Sequence, residues 1–172
     1  MLRFVAFLFF SFVACTSPID RLKKTRNCER CDLRGADLSN LDLIGVNLRE
    51  ANLSGANLSR SNLLGADLTG ADLSRANLTG SYLTTNLTRA NLTQASLHRA
   101  NLRNARLDEA ILRGSDLRNA SLFSVSMRNT VVEDANLEEA DLRRAQISGG
   151  DLSRARLCRT IMPDNREDSS NC

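Results

Sequence analysis

Residues 51–75 read Ala51-Asn52-Leu53-Ser54-Gly55, Ala56-Asn57-Leu58-Ser59-Arg60, Ser61-Asn62-Leu63-Leu64-Gly65, Ala66-Asp67-Leu68-Thr69-Gly70 and Ala71-Asp72-Leu73-Ser74-Arg75. A small residue, an Asn or Asp, a leucine and two variable residues recur with a period of five. Outward from this stretch the leucine, or a close stand-in, continues from Leu33 to Leu83, slips by one residue, and resumes from Leu87 to Leu157. An α-helix advances about 100° per residue and would smear leucines five apart around its circumference. A straight strand alternates faces and would throw successive leucines to opposite sides. Only a chain that turns a corner once per repeat keeps every leucine on one side. Such a chain wraps into a coil, and its coils stack at about 4.8 Å, the spacing of neighbouring strands.

Charges set the number of repeats per coil. At an offset of twenty, Arg89 faces Glu109, Asp108 faces Arg128, Arg113 faces Glu133 and Arg118 faces Glu138. Asp134 faces Arg154, Glu139 faces Arg159 and Arg144 faces Asp164, and no like-charged pair occurs at that offset between 87 and 164. An offset of fifteen sets Arg103 on Arg118, Arg113 on Arg128, Arg128 on Arg143 and Arg144 on Arg159. An offset of twenty-five sets Asp108 on Glu133, Glu109 on Asp134 and Asp116 on Asp141. Opposite charges on adjacent strands help and like charges hurt, each by roughly 0.2–1 kcal/mol. Four sides are therefore expected.

The tandem A-(N/D)-L-x-x pattern, as in Ala51-Asn52-Leu53-Ser54-Gly55 and Ala66-Asp67-Leu68-Thr69-Gly70, resembles the pentapeptide-repeat family over about three quarters of the chain. The resemblance implies an all-β fold, a right-handed quadrilateral β-helix, with the leucine and the small residue two before it pointing inward. Met127, Val132 and Ile147 depart from the pattern at the centres, and Leu41, Val46, Val125 and Thr130 at the small position. These are expected to roughen particular coils without breaking them. The eleven centres from 33 to 83 and fifteen from 87 to 157 make about six and a half coils, a tower roughly 30 Å tall. Each buried leucine stabilises by roughly 1.5–3 kcal/mol, which offsets the absence of Trp and the single Tyr.

The first residues are a different text. Met1-Leu2-Arg3 carries one positive charge, Phe4 to Ala14 is apolar, and Cys15 follows. That run is too short for a membrane span, which needs about 20 apolar residues, and fits a secretory signal over 1–15. Phe12-Val13-Ala14-Cys15 resembles a bacterial lipobox, which implies lipidation of Cys15; cleavage beside Ala14 or Cys15 is the alternative. The chain then divides into a linker and cap at 16–31, the repeat helix at 32–162 and a C-terminal cap at 163–172.

Four cysteines remain, and they allow three pairings. Cys28 and Cys31 lie at the base of the tower and Cys158 near its top, whereas a disulfide needs Cα atoms within about 7 Å. Cys28–Cys31 and Cys158–Cys172 are the expected bonds, and the same separation excludes one four-thiolate metal site. Cys28-Glu29-Arg30-Cys31 is a CxxC, but no βαβ context surrounds it and Asp32 follows, so a staple is expected rather than a redox or haem site. Asn27 to Leu33 and Cys158 to Asp164 resemble the ends of exported pentapeptide-repeat proteins. A covered end matters because a free sheet edge invites aggregation.

Few residues are left to declare a chemistry. His98 is the single histidine, expected to be a solvated surface residue, with Arg99, Arg103 and Arg106 on its coil as a weak anion-binding ring. Of twelve arginines between 87 and 159, seven belong to the pairs above, and the net charge is only +3. Aromatic stacking partners are nearly absent, so no nucleic acid is expected; Arg103, Phe123 and Arg143 read as a surface cation–π ladder. The slip at Ser81-Tyr82-Leu83-Thr84-Thr85-Asn86-Leu87 reads as a one-residue deletion that tightens a corner, or as a recognition notch. Ile44 stacks under Leu64 on one outer face and Ile111 under Val131 on another. Together with Tyr82 and His98 they form the candidate partner surface, although single apolar residues on surfaces are ordinary.

The expectation is a non-enzymatic, monomeric scaffold or interaction module, exported to the periplasm or envelope of a bacterial cell. An unidentified protein is its partner, no cofactor or metal is involved, and only a lipid at Cys15 would touch a membrane. The alternative comes from the resemblance: some members mimic DNA and protect a type II topoisomerase. That activity implies an acidic surface, which this chain lacks. Catalysis would need a concave pocket with convergent polar groups, whereas stacked repeats give flat or convex walls.

Overall fold

The computed structural model describes residues 17–170 and Cys172, so the expected signal and the lipidation site Cys15 lie outside the described residues. A short helix, α1 (Pro18–Thr25), opens the described chain, and two short strands, β1 (Thr160–Ile161) and β2 (Glu167–Asp168), close it. Between them the backbone is joined by isolated parallel bridges. These link residues twenty apart from Asn27↔Asn47 to Asn62↔Tyr82, and nineteen apart from Asp67↔Asn86 to Tyr82↔Asn101. From Asn86↔Arg106 to Asp141↔Ile161 the offset is twenty again. Four repeats therefore make one coil. A face is only five residues long and its corner consumes two, so one residue per face reaches ladder register. The all-β expectation thus takes the form of columns of single-residue bridges, with very little extended strand.

Each position of the repeat has a local reason. The Asn or Asp accepts a hydrogen bond from the backbone N–H two residues on, as Asp37 does from Ser39 (3.1 Å) and Asp72 from Ser74 (3.0 Å). That contact is an Asx turn and starts the corner. The fifth residue then takes the left-handed region, with φ of 66° at Gly55 and 57° at Arg60, where glycine carries no steric cost. Ladder bonds join the coils: Leu53 N–H donates to Asp72 (2.7 Å), Gly55 to Ser74 (2.8 Å) and Asn52 to Cys31 below (2.9 Å).

Four columns of inward side chains define four faces. Face 1 holds Leu33, Leu53, Leu73, Leu92 and Leu112; face 2 holds Leu38, Leu58, Leu78, Leu97, Leu117 and Leu137. Face 3 holds Leu43, Leu63, Leu83, Leu102, Leu122 and Leu142, and face 4 holds Cys28, Leu48, Leu68, Leu87, Leu107 and Met127. All are buried, and the alanines fill the small inward places between them. Where a hydroxyl occupies that place it bonds to backbone, as a buried polar group must. Ser61 donates to the Leu58 carbonyl (2.6 Å), Ser115 to Leu112 (2.7 Å) and Thr130 to Leu107 (2.7 Å).

The slip is absorbed without interrupting the ladder. Every other corner from Gly35 to Gly149 carries a left-handed residue, and at 84–85 that residue is missing. Thr85 moves into the small inward place, buried, and its hydroxyl donates to the Ala66 carbonyl one coil below. The ladder lapses instead near the top of face 1. Among the described residues no bridge joins Val131 to Asp151, and Ile147 is only half-buried. The coil itself continues, with Asn129 N–H donating to Ser148 (2.8 Å), Asp134 to Arg154 (3.1 Å) and the bridges resuming at Asn136↔Arg156, so the departures roughen this level without breaking it. Gly150 stands just before this gap, where a Cβ would sit 3.1 Å from the Thr130 carbonyl.

Both ends are covered. α1 begins with Ser17 capping the Asp20 N–H (3.1 Å) and Pro18 in its first turn, and it ends with Lys23 and Lys24, each favourable where it stands. It buries Leu22 against the lowest coil. The ladder starts at Asn27, inside the segment expected to be linker: Cys28 takes a leucine's place and Cys31 an alanine's. Their disulfide (S–S 2.06 Å) joins two inward positions of neighbouring repeats. At the top β2 pairs antiparallel with β1, and a second disulfide ties Cys158 to Cys172. The polar tail, which shows no helical stripe in sequence, thus adds a strand over the last edge.

Candidate partner surface

Ladder register decides which outward residues stand together. On face 3 the bridges run Asp42, Asn62, Tyr82, Asn101, Ser121, Asp141, Ile161. The residues two beyond each form a second column: Ile44, Leu64, Thr84, Arg103, Phe123, Arg143. Ile44, Leu64 and Tyr82, exposed to 41%, 48% and 56%, therefore form one apolar patch on the lower half of face 3. Phe123 stands above them in the same column. Arg103 stacks on its ring at 4.3 Å from the centroid, Arg144 at 5.3 Å and Arg143 at 6.0 Å.

The other expected contact residues lie elsewhere. Ile111 (40% exposed) and the half-buried Val131 are bridged to each other on face 1. His98 is on face 2, and it is not the freely solvated residue expected: its Nδ1 is buried and without a hydrogen-bond partner. The ring is half-buried, and the neighbouring Asp116 carboxyl lies below its ordinary range. The Arg118 hydrogen bond is the main cause, burial opposes it, and the nearby His98 adds a small pull. Arg99 stands at the corner of faces 2 and 3 and Arg103 on face 3, whereas Arg106 lies on face 4, turned to Asp108 (3.8 Å). They do not converge into an anion ring.

Five of the seven expected inter-coil pairs are ion pairs. Arg89–Glu109 and Arg113–Glu133 stand at 2.8 Å, Arg128–Asp108 at 2.8 Å and Arg154–Asp134 at 3.3 Å; Arg159 meets Glu139. Arg30–Glu50 adds another at 2.7 Å. Arg118 instead folds back bidentately on Asp116 of its own repeat, and Arg144 lies over Phe123. Asp108 is itself buried, accepting from Ser126 (2.5 Å) and from the Arg128 backbone (3.0 Å) and side chain (2.8 Å). The Arg128 hydrogen bond, aided by Ser126 and opposed by burial, holds this carboxyl far below the usual carboxylate range.

These pairs leave an uneven remainder. In the coil, Arg60, Arg75, Arg99, Arg103 and Arg144 have no carboxylate within ion-pair distance among the described residues. Arg75 is hydrogen-bonded to Gln94 (3.1 Å) between faces 1 and 2. The other four lie on face 3 or its two edges. Face 3's carboxylates are engaged: Asp42 near Arg26 (4.0 Å), and Asp141 bidentate with Arg143 (2.9 and 2.8 Å). Sequence reading found both halves of this column but did not join them. The signal was present, since counting twenty per coil and nineteen across the slip carries Leu64 to Thr84, Arg103 and Phe123.

A depression of about 540 Å³ on face 1 is lined by Ser54, Asp72, Ser74, Arg75, Asn91 and Gln94 among others, and no histidine or cysteine lines it to activate a serine. Among the described residues no group of three or more His, Cys, Asp or Glu is placed to hold a metal ion, and no helix is long and apolar enough to cross a membrane.

A four-sided tower of five-residue repeats defines its own class. The family profile "Pentapeptide repeats" matches in eight copies over residues 27–49, 47–84, 85–122 and 120–159, and the chain belongs to this family. Among solved structures it is similar to HetL, a pentapeptide repeat protein involved in heterocyst differentiation regulation in the cyanobacterium Nostoc sp. strain PCC 7120. That match has 31% identity, covers 83% of this chain and 78% of HetL, and has a TM-score of 0.45. Rfr23 from the cyanobacterium Cyanothece 51142 is 27% identical over 77% of this chain and 95% of its own, with a TM-score of 0.33. QnrB1, a plasmid-mediated fluoroquinolone resistance protein, is 20% identical over 73% and 79%, with a TM-score of 0.32. No curated protein sequence matches.

Proposed function

We propose that this protein is a non-enzymatic, exported interaction module, a right-handed coil of about six and a half turns that presents face 3 to a protein partner in the cell envelope. The observation that carries this reading is the contiguous exposure of Ile44, Leu64 and Tyr82 on one wall of a rigid tower. Ladder bonds hold these side chains at fixed heights, so a partner meets a surface already in its binding shape and little ordering entropy is lost on association. Export is supported by the signal-like Met1–Ala14 and by two disulfides, which persist in oxidising compartments. Lipidation of Cys15 would tether the base of the tower to a membrane. A DNA-mimicking role finds less support, because the outward carboxylates of the coil are largely matched by arginines and the net charge is +3.

The test is photocrosslinking in cells that express the protein with its own N-terminus. A photoreactive residue replaces Tyr82 on face 3 or, as control, Thr93 on face 1. The expected result is one identified envelope protein joined from position 82, not from 93, and lost in the Leu64→Asp variant. Identical adducts from both positions would sink the reading.

A further inference from the structure

Face 3 carries two kinds of surface that the rest of the molecule has already satisfied elsewhere. Its lower half exposes Ile44, Leu64 and Tyr82. Its upper half and edges hold Arg60, Arg99, Arg103 and Arg144, guanidiniums with no carboxylate within ion-pair distance among the described residues. The Arg143 hydrogen bond chiefly lowers the Asp141 carboxyl, and Arg103 lies near enough to lower it only slightly. On the other faces most arginines meet carboxylates, across the coils as at Arg89–Glu109 and Arg113–Glu133 or within a repeat as at Arg118–Asp116, and Arg75 is the exception, bonded to Gln94. Unmatched charge and unmatched apolar area thus coincide on one wall.

Building on the reading of face 3 as a partner surface, we propose that its occupant is an extended, acidic protein segment with apolar anchors at one end, lying along the tower axis. Apolar side chains of the segment cover Ile44, Leu64 and Tyr82, and its carboxylates reach Arg103, Arg144 and the edge arginines. Packing over the Phe123 ring holds the guanidiniums of Arg103 and Arg144 near one another, and a guanidinium suits bidentate carboxylate recognition. The column from Ile44 to Arg144 climbs five coil steps, about 24 Å at the spacing of stacked strands, and an extended chain rises about 3.3 Å per residue. About seven residues span the wall, with two coil steps, or three residues, between the anchor over Leu64 and the carboxylate at Arg103.

A recess lies beside this path. The corner shortened at 84–85 borders a depression whose lining includes Thr84, Thr85, Asn104, Arg106 and Asp67, the last paired with Arg49 (3.0 Å). The missing residue would have donated its N–H to the Arg103 carbonyl; among the described residues that carbonyl has no ladder partner. A nucleic acid would match the guanidiniums but would leave the aliphatic lower half uncovered, so protein chemistry fits both halves better.

The experiment is fluorescence anisotropy on the purified protein with a labelled nine-residue peptide. Leucine and phenylalanine occupy one end and four glutamates the other, and both sequence orders are tried. A version with lysine for glutamate, a single-stranded DNA 20-mer and anionic phospholipid vesicles serve as rival probes. Saturable binding of an acidic peptide is expected, weakened at least tenfold by Arg103→Glu with Arg144→Glu. Leu64→Ser with Tyr82→Ser should weaken it by a similar factor, and Arg75→Glu should leave it unchanged. Circular dichroism of each variant confirms the fold. The proposal is overturned if no acidic peptide binds, if Arg75→Glu weakens binding equally, or if DNA or vesicles bind instead. Failure of every peptide beside a specific adduct from position 82 would condemn the partner chemistry and not the surface.

Discussion

The hydroxyl of Thr85 donates to the carbonyl of Ala66 on the coil beneath, a carbonyl that also receives the Asn86 N–H at 3.2 Å. This contact secures the one corner that lacks a left-handed residue. Thr85→Val keeps the volume and removes the donor. We expect a loss of about 1 kcal/mol, read as a lowered denaturation midpoint. Inserting a glycine between Thr84 and Thr85 completes the repeat and should make Thr85→Val nearly neutral; an equal loss in both backgrounds would refute this role for the slip.

Leu97 is fully buried in the face 2 column. Leu97→Asp places an unpaired charge inside the stack, and we expect at least about 4 kcal/mol of destabilisation. Thermal melting followed by circular dichroism measures it. An unchanged melting curve would contradict the inward assignment.

Asp108 supplies the clearest dependence on pH. Its folded-state carboxyl is depressed, chiefly by the Arg128 hydrogen bond, so its contribution is complete above the ordinary carboxylate value near about 4. It is lost as pH falls below that value toward the folded one. Asp108→Asn should therefore cost about 1–3 kcal/mol at neutral pH. The gap to the native protein should narrow as acid is added. Urea midpoints across the acid range give the answer, and a constant gap would remove Asp108 from the acid response.

The Cys158–Cys172 bond closes a loop with a sequence separation of 14 around the top strand pair. Constraining a loop of that size is worth about 3 kcal/mol to the structure it closes. Cys158→Ser with Cys172→Ser should raise amide exchange in β1 and β2 while leaving the coils below unaltered. Exchange rising equally at Leu53 and Leu73 would show that the cap supports the whole tower.

Much of the architecture was legible because one rule repeats. The leucine period and the Arg–Glu offsets specify a four-sided coil before any coordinate is known, and bridges such as Asn91↔Ile111 place residues twenty apart. What was not legible depended on single events. Helix α1 has only Ile19 and Leu22 as an apolar stripe, too brief to read as periodic, although Ser17-Pro18 with Asp20 was a capping signal. The lapse between Val131 and Asp151 is not encoded by spacing, which sets them twenty apart like the bridged Ile111 and Val131. The burial of His98 Nδ1 likewise depends on packing around its ring. The partner surface was half legible: its apolar and cationic halves were each visible, and the slip hid that they share a wall.

Closure at both ends turns the repeat into a gauge. α1 seals the base and β2 the top, so height is set by how many coils lie between two fixed stops. Removing one twenty-residue coil between Phe123 and Leu64 would bring them nearer by about 4.8 Å while leaving the chemistry of each intact. Distance along face 3 can thus be varied in discrete, known steps, and the length that a bound segment demands can be read directly from which step it tolerates.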